Sequence, residues 1–313
     1  MNAPDSWPPA SRTGRLVAPE EGTIAWSEVL AATEGRLAAA GYDGGSAARE
    51  ARWIVEEASG ATSAAELDQP ATVRGMAHHD AMVGRRLTGE PLQYVLGRWS
   101  FRTLDLMVDR RVLIPRPETE VVAGLAIDEV DRMAVGRDPS TEPVLVADLG
   151  TGSGAIGLSV VAERPETRVW CTDASSDSLA VARANCVGLG RPAQRVTLTE
   201  GSWFDALPVD LRGRLDVVAS NPPYVAADEQ LPTEVADWEP GAALYADDRG
   251  TADVRVLIEG ALDWLVPGGA LVLEMAPDQT ASMADLARSV GFVDVAVRRD
   301  LADRDRALVA RRP

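Results

Sequence analysis

Apolar positions along this chain recur at two periods, and the change from one to the other divides it. Trp26, Val29, Leu30, Thr33 and Leu37 stand at i, i+3, i+4 and i+7 spacings, which predicts an amphipathic helix. Gly41 and Gly44-Gly45 interrupt it. Ser46 is placed to cap a second helix carrying Ala47, Ala51, Ile54, Val55 and Ala58, which ends near Gly60. Ser63-Ala64-Ala65-Glu66 fits a capping box for a short helix. Val73, Met76, Val83 and Leu87 predict a longer one that stops before Gly89. Residues 26–90 therefore read as a small helical domain. Ahead of it, residues 1–25 are rich in Pro, Ser, Gly and Ala without a period, and read as a flexible tail.

From Tyr94 to Pro115 the pattern alternates. Trp99 and Phe101 lead in, Leu104, Leu106 and Val108 share one face, and Val112 and Ile114 follow. This predicts a β-hairpin, so residues 91–116 read as a hairpin linker. Ile114-Pro115-Arg116-Pro117 is stiff, because each proline drives the residue before it into extended backbone. Glu118 then opens a helix through Val121, Val122, Leu125, Ile127 and Val130. Arg116 and Glu118 have two readings here: helix-start chemistry, where acids favour that end of the dipole, or part of a binding site.

Residues 117–313 alternate between short apolar runs and helical patterns. Strands are expected at 144–149, 168–173, 195–200, 214–219, 269–275, 292–299 and 305–311, with helices notably at 154–163, 176–189, 251–266 and 277–290. That alternation predicts an α/β domain with a seven-stranded, mostly parallel sheet covered by helices on both faces. Only a few residues separate the last two strands, too few for a crossover, so they should pair antiparallel.

Candidate chemistry clusters at the carboxyl ends of these strands, where ligands bind in such sheets. The strand over 144–149 runs into Gly150-Thr151-Gly152-Ser153-Gly154, a loop whose glycines let backbone approach a ligand closely. The next strand ends in Asp173, at the spacing where a carboxylate can meet ribose hydroxyls in nucleotide-binding units. The strand over 214–219 ends in Ser220-Asn221-Pro222-Pro223-Tyr224. Two prolines hold the Asn221 side chain and the Pro222 carbonyl as fixed hydrogen-bonding groups, with Tyr224 as a flat wall beside them. Such a device suits a planar group bearing an NH2, an amide or the exocyclic amine of a base. By itself, Asn-Pro reads equally as the start of a turn.

Composition narrows the classes. No stretch is apolar for long enough to span a membrane, and no secretory signal is evident. Cys171 and Cys186 are too few for a disulfide framework and read as buried thiols of a cytoplasmic protein. His78 and His79 read as a solvated helix surface, and no metal site is expected. The net charge is −17, and every basic residue is arginine. Residues 225–250 hold seven acids (Asp228, Glu229, Glu234, Asp237, Glu239, Asp247 and Asp248) against Arg249 alone, a surface that repels phosphates. Direct nucleic-acid binding, which needs a basic face, is therefore not expected.

The Asp148-Leu149-Gly150-Thr151-Gly152-Ser153-Gly154 loop together with Asn221-Pro222-Pro223-Tyr224 resembles the S-adenosylmethionine-dependent N-methyltransferases. More narrowly, Leu113-Ile114-Pro115-Arg116-Pro117-Glu118-Thr119-Glu120 and Gly89-Glu90-Pro91-Leu92-Gln93-Tyr94 resemble the protein-(glutamine-N5) methyltransferases of the HemK/PrmC type, which act on peptide chain release factors. The resemblance runs from about residue 26 to the C-terminus, with the motifs in the family's order. It implies a Rossmann-like class I methyltransferase fold, S-adenosyl-L-methionine as cofactor, and a release factor as protein partner of a chain acting as a monomer. It also implies that the helical domain docks that substrate. Gly150, Thr151, Gly152, Ser153 and Gly154 would wrap the cofactor, Asp173 would accept from its ribose, Trp203 would pack near the adenine, and Asn221 would border both ligands. Asn221, Pro222, Pro223 and Tyr224 would bind the acceptor amide, with Asn221, Pro222 and Tyr224 catalytic. Near alternatives are a ribosomal protein glutamine and, further off, a nucleic-acid adenine N6 amine. Trp203 alone also reads as a core tryptophan. The chain departs from the family pattern at Ser202, where an acid is usual, and at Ala276 and Asp303, where glycine is usual.

Overall fold

The computed structural model of the protein describes residues 24–138 and 141–313. These form two compact units divided between Thr88 and Gly89. Most of the expected N-terminal tail, residues 1–23, lies outside the described residues. Its last residue, Ala25, belongs to the first unit, where it bridges to Pro70.

The first unit is helical: α1 (Trp26–Ala39), α2 (Gly44–Ser59), the single turn α3 (Ala64–Leu67) and α4 (Val73–Leu87). Trp26, Val29, Val55, Ala61 and Leu67 make its core, with Leu37, Ala47 and Ala51 packed as a second cluster. Each fully buried large aliphatic side chain contributes roughly 1.5–3 kcal/mol. Three details differ from expectation. Asp43, and not Ser46, caps α2 by accepting from the Ser46 N–H at 3.0 Å, so Gly44-Gly45 become the first turn. The Glu66 carboxylate reaches back to the Thr62 N–H at 2.6 Å, one residue before the position a capping box requires. His79 is buried, not solvated. Successive residues on a helix sit on different faces, so His78 is exposed while His79 shares the inner face with Met82 and Val83. The Thr33 hydroxyl donates to the Val29 carbonyl at 2.7 Å, which leaves its oxygen to meet His79 Nε2 at 2.7 Å.

The second unit opens with α5 (Leu92–Leu96), so Tyr94 is helical and not part of the alternating run. The hairpin is shorter than predicted: β1 (Arg98–Phe101) pairs antiparallel with β2 (Leu104–Met107), with Trp99 opposite Leu106. Beyond Met107 the chain is irregular, and Val108, Val112 and Ile114 are buried one by one against Tyr94 and Val181. Burial without a ladder gives the same alternation in sequence as a strand. Helix α6 (Pro117–Ala134) starts with Pro117 in its first turn and Arg116 as N-cap.

An alternating series then builds the sheet: β3 (Val144–Leu149), α7 (Ala155–Glu163), β4 (Thr167–Asp173), α8 (Ser176–Gly188), β5 (Val196–Glu200) and β6 (Leu215–Ser220). Short pieces follow: β7 (Val225–Ala226), α9 (Thr233–Trp238), β8 (Tyr245–Ala246) and the single turn α10 (Asp247–Gly250). The chain continues through α11 (Ala252–Trp264), β9 (Leu265–Glu274), α12 (Thr280–Val290), β10 (Val293–Arg299) and β11 (Asp305–Arg311). The seven-stranded sheet has the order β10-β11-β9-β6-β3-β4-β5. β11 is antiparallel to both neighbours, and the remaining pairs are parallel. Val146, Val217 and Val272 face α6 and α7, while Val218 and Leu271 face α11 and α12. This is the Rossmann-like methyltransferase architecture that the motifs imply.

In the turn between β10 and β11, Asp303 takes the left-handed conformation (φ 61°) that makes glycine usual there. Asp is among the few side chains that adopt it readily. Arg299 Nη1 donates to its carboxylate at 3.0 Å. The departure keeps the turn.

Candidate active site

Three strand ends converge on one cavity of about 430 Å³, a size that suits a small-molecule ligand. Gly150, Asp173 and Asn221, which follow or end β3, β4 and β6, all line it. Of the other expected residues, Thr151, Gly152, Ser153, Trp203 and Pro223 also line it; Gly154, Pro222 and Tyr224 do not.

The glycine loop is held from below by Asp148, to which the sequence reading gave no role. Its Oδ2 accepts from the Thr151 hydroxyl at 2.5 Å and from the Gly157 N–H at 2.9 Å. Burial pushes this carboxyl up to about 6, against the pull of those two hydrogen bonds. Gly150 sits at φ +70°, and an added Cβ there would come within 3.1 Å of the Trp203 ring. Asp173 turns one oxygen to the Gly152 N–H and the other to the Ser175 N–H, both at 2.9 Å. Burial raises its pKa, and the same backbone donors oppose the shift. Asp173 thus ties the loop of β3 to the end of β4 as well as facing the cavity.

Trp203 is half-buried: it lines the cavity and also packs against the core beneath it. Its Nε1–H donates to Asp253 Oδ1 at 3.2 Å. Asp253, in the first turn of α11, lines the cavity too and brings a carboxylate to the region where Ser202 stands in place of an acid. Asp148, Asp173 and Asp253 share this lining with Arg111, and Arg111 is itself paired with Asp109 at 2.6 Å. The balance favours a ligand carrying positive charge.

A second part of the wall is built from distant parts of the chain. Asn221 Nδ2 donates to Thr119 Oγ1 at 3.1 Å, and Thr119 donates to Glu274 Oε2 at 2.7 Å. The Tyr224 hydroxyl donates to the other oxygen of Glu274 at 3.0 Å. The ring therefore does not swing free, and the Arg306 guanidinium lies 5.8 Å from its centroid. Burial raises the Tyr224 pKa. Gln279 Nε2 donates to the Tyr224 carbonyl at 2.9 Å, and the same side chain accepts from the Ala276 N–H at 3.2 Å, so Ala276 meets a side chain where glycine is usual. Gly250 packs on that carbonyl so closely that a Cβ would stand 2.2 Å from it.

Arg116 pairs with the buried Glu239, whose second oxygen accepts from the Ile114 N–H at 3.0 Å. Arg116 stands at the N-cap position of α6 without a side-chain capping bond, and through Glu239 it braces the segment whose Leu113 and Pro115 line the cavity; neither Arg116 nor Glu118 lines the cavity itself. Thr119, Glu274 and Asp253 were missed by sequence reading. Glu274 left a trace, as an acid closing an apolar strand; Thr119 and Asp253 read as ordinary first-turn helix residues. Among the described residues no group of three or more His, Cys, Asp or Glu could hold a metal ion, and no helix is long and apolar enough to cross a membrane.

Known proteins resemble the chain over most of its length. Residues 28–97 match the family model of the PrmC N-terminal domain, and residues 129–237 match the methyltransferase small domain. The chain is 40% identical over 247 residues to the release factor glutamine methyltransferase of Xylella fastidiosa strain 9a5c, covering 79% of this chain and 85% of that protein. It is 37% identical over 293 residues to the enzyme of the same name from Cereibacter sphaeroides, covering 92% of this chain and 98% of that protein. Among solved structures, the N-terminal domain of human METTL16 matches with a TM-score of 0.51 at 17% identity, covering 74% of this chain and 82% of that one, a likeness of fold.

Proposed function

The chain belongs to the release factor glutamine methyltransferase family, and from that premise we propose that it methylates the side-chain amide nitrogen, N5, of a glutamine in a peptide chain release factor, using S-adenosyl-L-methionine. The observation that carries this reading is the placing of Asn221 on the wall of the same cavity that Gly150 and Asp173 line.

The cavity fits the cofactor: its net acidic lining suits a cation, its size suits a nucleoside, and Gly150 leaves room that a side chain would fill. When bound, S-adenosylmethionine supplies a methyl group already activated on a sulfonium. The chain's own residues supply position. Gly150, Thr151, Gly152 and Ser153 wrap the amino-acid and ribose portion, and Gly154, packed against Leu158 outside the cavity, closes the loop behind them. Asp173 accepts from the ribose hydroxyls, and Trp203 flanks the adenine.

An amide nitrogen is a poor nucleophile because its lone pair is delocalised into the carbonyl. Asn221 Oδ1 and the Pro222 carbonyl accept from its two N–H groups. They orient the nitrogen and support the positive charge that develops on it. Pro223 and Tyr224 wall the amide. The proton leaves to water after transfer. The helical first unit docks the protein substrate. The enzyme works as a monomer in the cytoplasm, where the buried free thiols of Cys171 and Cys186 stay reduced. The acids over residues 225–250 disfavour a nucleic-acid substrate.

Transfer of labelled methyl to purified release factors, ribosomes and DNA, run in parallel, tests the reading. Label confined to a glutamine of a release factor is the expected outcome. Label on a ribosomal protein or on adenine replaces it.

A further inference from the structure

Behind Asn221, Thr119 of the cavity lining and the buried Glu274 form a relay. Glu274 ends β9 with no solvent exposure, and both of its oxygens are engaged, one by Thr119 and one by Tyr224. An ionised carboxylate only accepts hydrogen bonds. Thr119 must therefore aim its proton at Glu274, which leaves lone pairs for Asn221. An NH2 group satisfies those lone pairs and a carbonyl oxygen does not. The Asn221 amide is so turned with Nδ2 toward Thr119, and Oδ1 is left for the cavity that Asn221 lines. Unaided, a terminal amide has a roughly two-fold choice of orientation. The wrong choice would set NH2 against the NH2 of the acceptor.

Resting on the function proposed above, we infer that Glu274 and Thr119 are positioning residues of methyl transfer: they select which end of the Asn221 amide meets the acceptor nitrogen, and Glu274 holds the Tyr224 ring at the same time. The relay has a sign. A protonated Glu274 can donate to Thr119, whose hydroxyl is then free to donate to Asn221 Oδ1, and the amide loses its reason to face one way. Arg306 on β11 favours the ionised form of Glu274, Glu118 in the first turn of α6 opposes it, and Asp300 partly offsets Arg306 at 3.7 Å. Burial is the largest influence and pushes the Glu274 carboxyl up to about 7, against the hydrogen bonds from Thr119 and Tyr224 and the Arg306 charge. The productive, ionised form gains as pH rises through that value, so turnover should climb to a plateau above it.

The test uses the full chain, labelled S-adenosylmethionine and purified release factor. Thr119→Val keeps the shape and removes the hydroxyl. It should lower kcat on the order of 10-fold to 100-fold, lower cofactor affinity by calorimetry far less than kcat, and abolish the acidic limb of the kcat–pH profile. Thr119→Ser should restore most of the turnover and the limb. Glu274→Gln, where it folds, should behave as Thr119→Val does. Wild-type turnover in Thr119→Val overturns the relay. So does a loss of cofactor affinity in step with kcat, or a failure of Thr119→Ser to rescue. A slow Thr119→Val that keeps the acidic limb removes Glu274 from the relay and overturns the inference in that form. Full activity in Asn221→Ala defeats the functional reading beneath it, and only that variant reports on the reading independently of the relay.

Discussion

The two walls of the cavity are made in opposite ways. On the glycine-loop side, the bonds that set shape span short distances in sequence: Asp148 reaches residues three and nine positions away, and Asp173 reaches Gly152 across 21. On the Asn221 side they span 102, 155 and 50 positions, through Thr119, Glu274 and Tyr224. The first wall is a local motif that folds with its own strand–turn–helix unit. The second exists only once α6, β6 and β9 have docked. On the proposed reading, a cofactor shared by many enzymes would be held by the portable wall, and the substrate-specific amide would be met by the assembled one.

Substitutions on either side sharpen this contrast, and Asn221→Ala should have the largest effect. It removes one preorganised acceptor, a loss of about 100-fold to 1000-fold in kcat. Single-turnover methyl transfer measures it, with calorimetry showing that cofactor binding falls far less. Asp173→Ala comes next and acts on the other wall. It should weaken cofactor binding by about 10-fold to 150-fold, the equivalent of about 1.5–3 kcal/mol for a charged hydrogen-bonding partner. Because Asp173 also ties Gly152 and Ser175, the melting temperature should drop as well, which the ribose role alone would not cause. Unchanged affinity in a folded Asp173→Ala protein would break the assignment of the two walls.

Smaller effects follow further from the reacting atoms. Asp253→Asn keeps an acceptor for Trp203 and removes a charge, so cofactor affinity should fall only about 3-fold to 10-fold, as for one ordinary hydrogen bond of about 0.5–1.5 kcal/mol. Asp148→Asn should have the least effect on activity and show itself in stability. The folded-state pKa of Asp148 is raised to about 6 from 3.8, so the native state holds this proton more tightly than the unfolded chain. Its contribution to stability is present at low pH and is lost as pH rises from about 4 to about 6. Urea melts of Asp148→Asn across that window should lack this decline.

The same contrast explains what could be read from the chain alone. Gly150–Gly154, Asp173 and Asn221 announce themselves because glycine, a strand-end acid and a proline-locked asparagine are locally unusual. The seven strands were equally plain, as apolar runs between helical stripes. Thr119 carried no signal, since a threonine in a first helical turn is ordinary and its two partners lie far away in sequence. His79 misled for a related reason: two adjacent histidines look polar, although only one helix face is wet. The stretch from Val108 to Ile114 imitated a strand because alternate burial is not unique to ladders.

The place of β11 has a consequence in time. Asp305–Arg311 pairs on one side with β9 and on the other with β10, both made before it. A growing chain that has reached Arg299 carries a β9 whose outer edge is bare, the kind of edge that invites pairing with another molecule. The sheet, the Arg306 cation beside Tyr224 and the environment of Glu274 all wait for the same seven residues. Folding of the second unit is therefore a late event in its synthesis, and a chain interrupted between residues 299 and 305 should be a sticky species that has its cofactor motif complete and its acceptor wall unfinished.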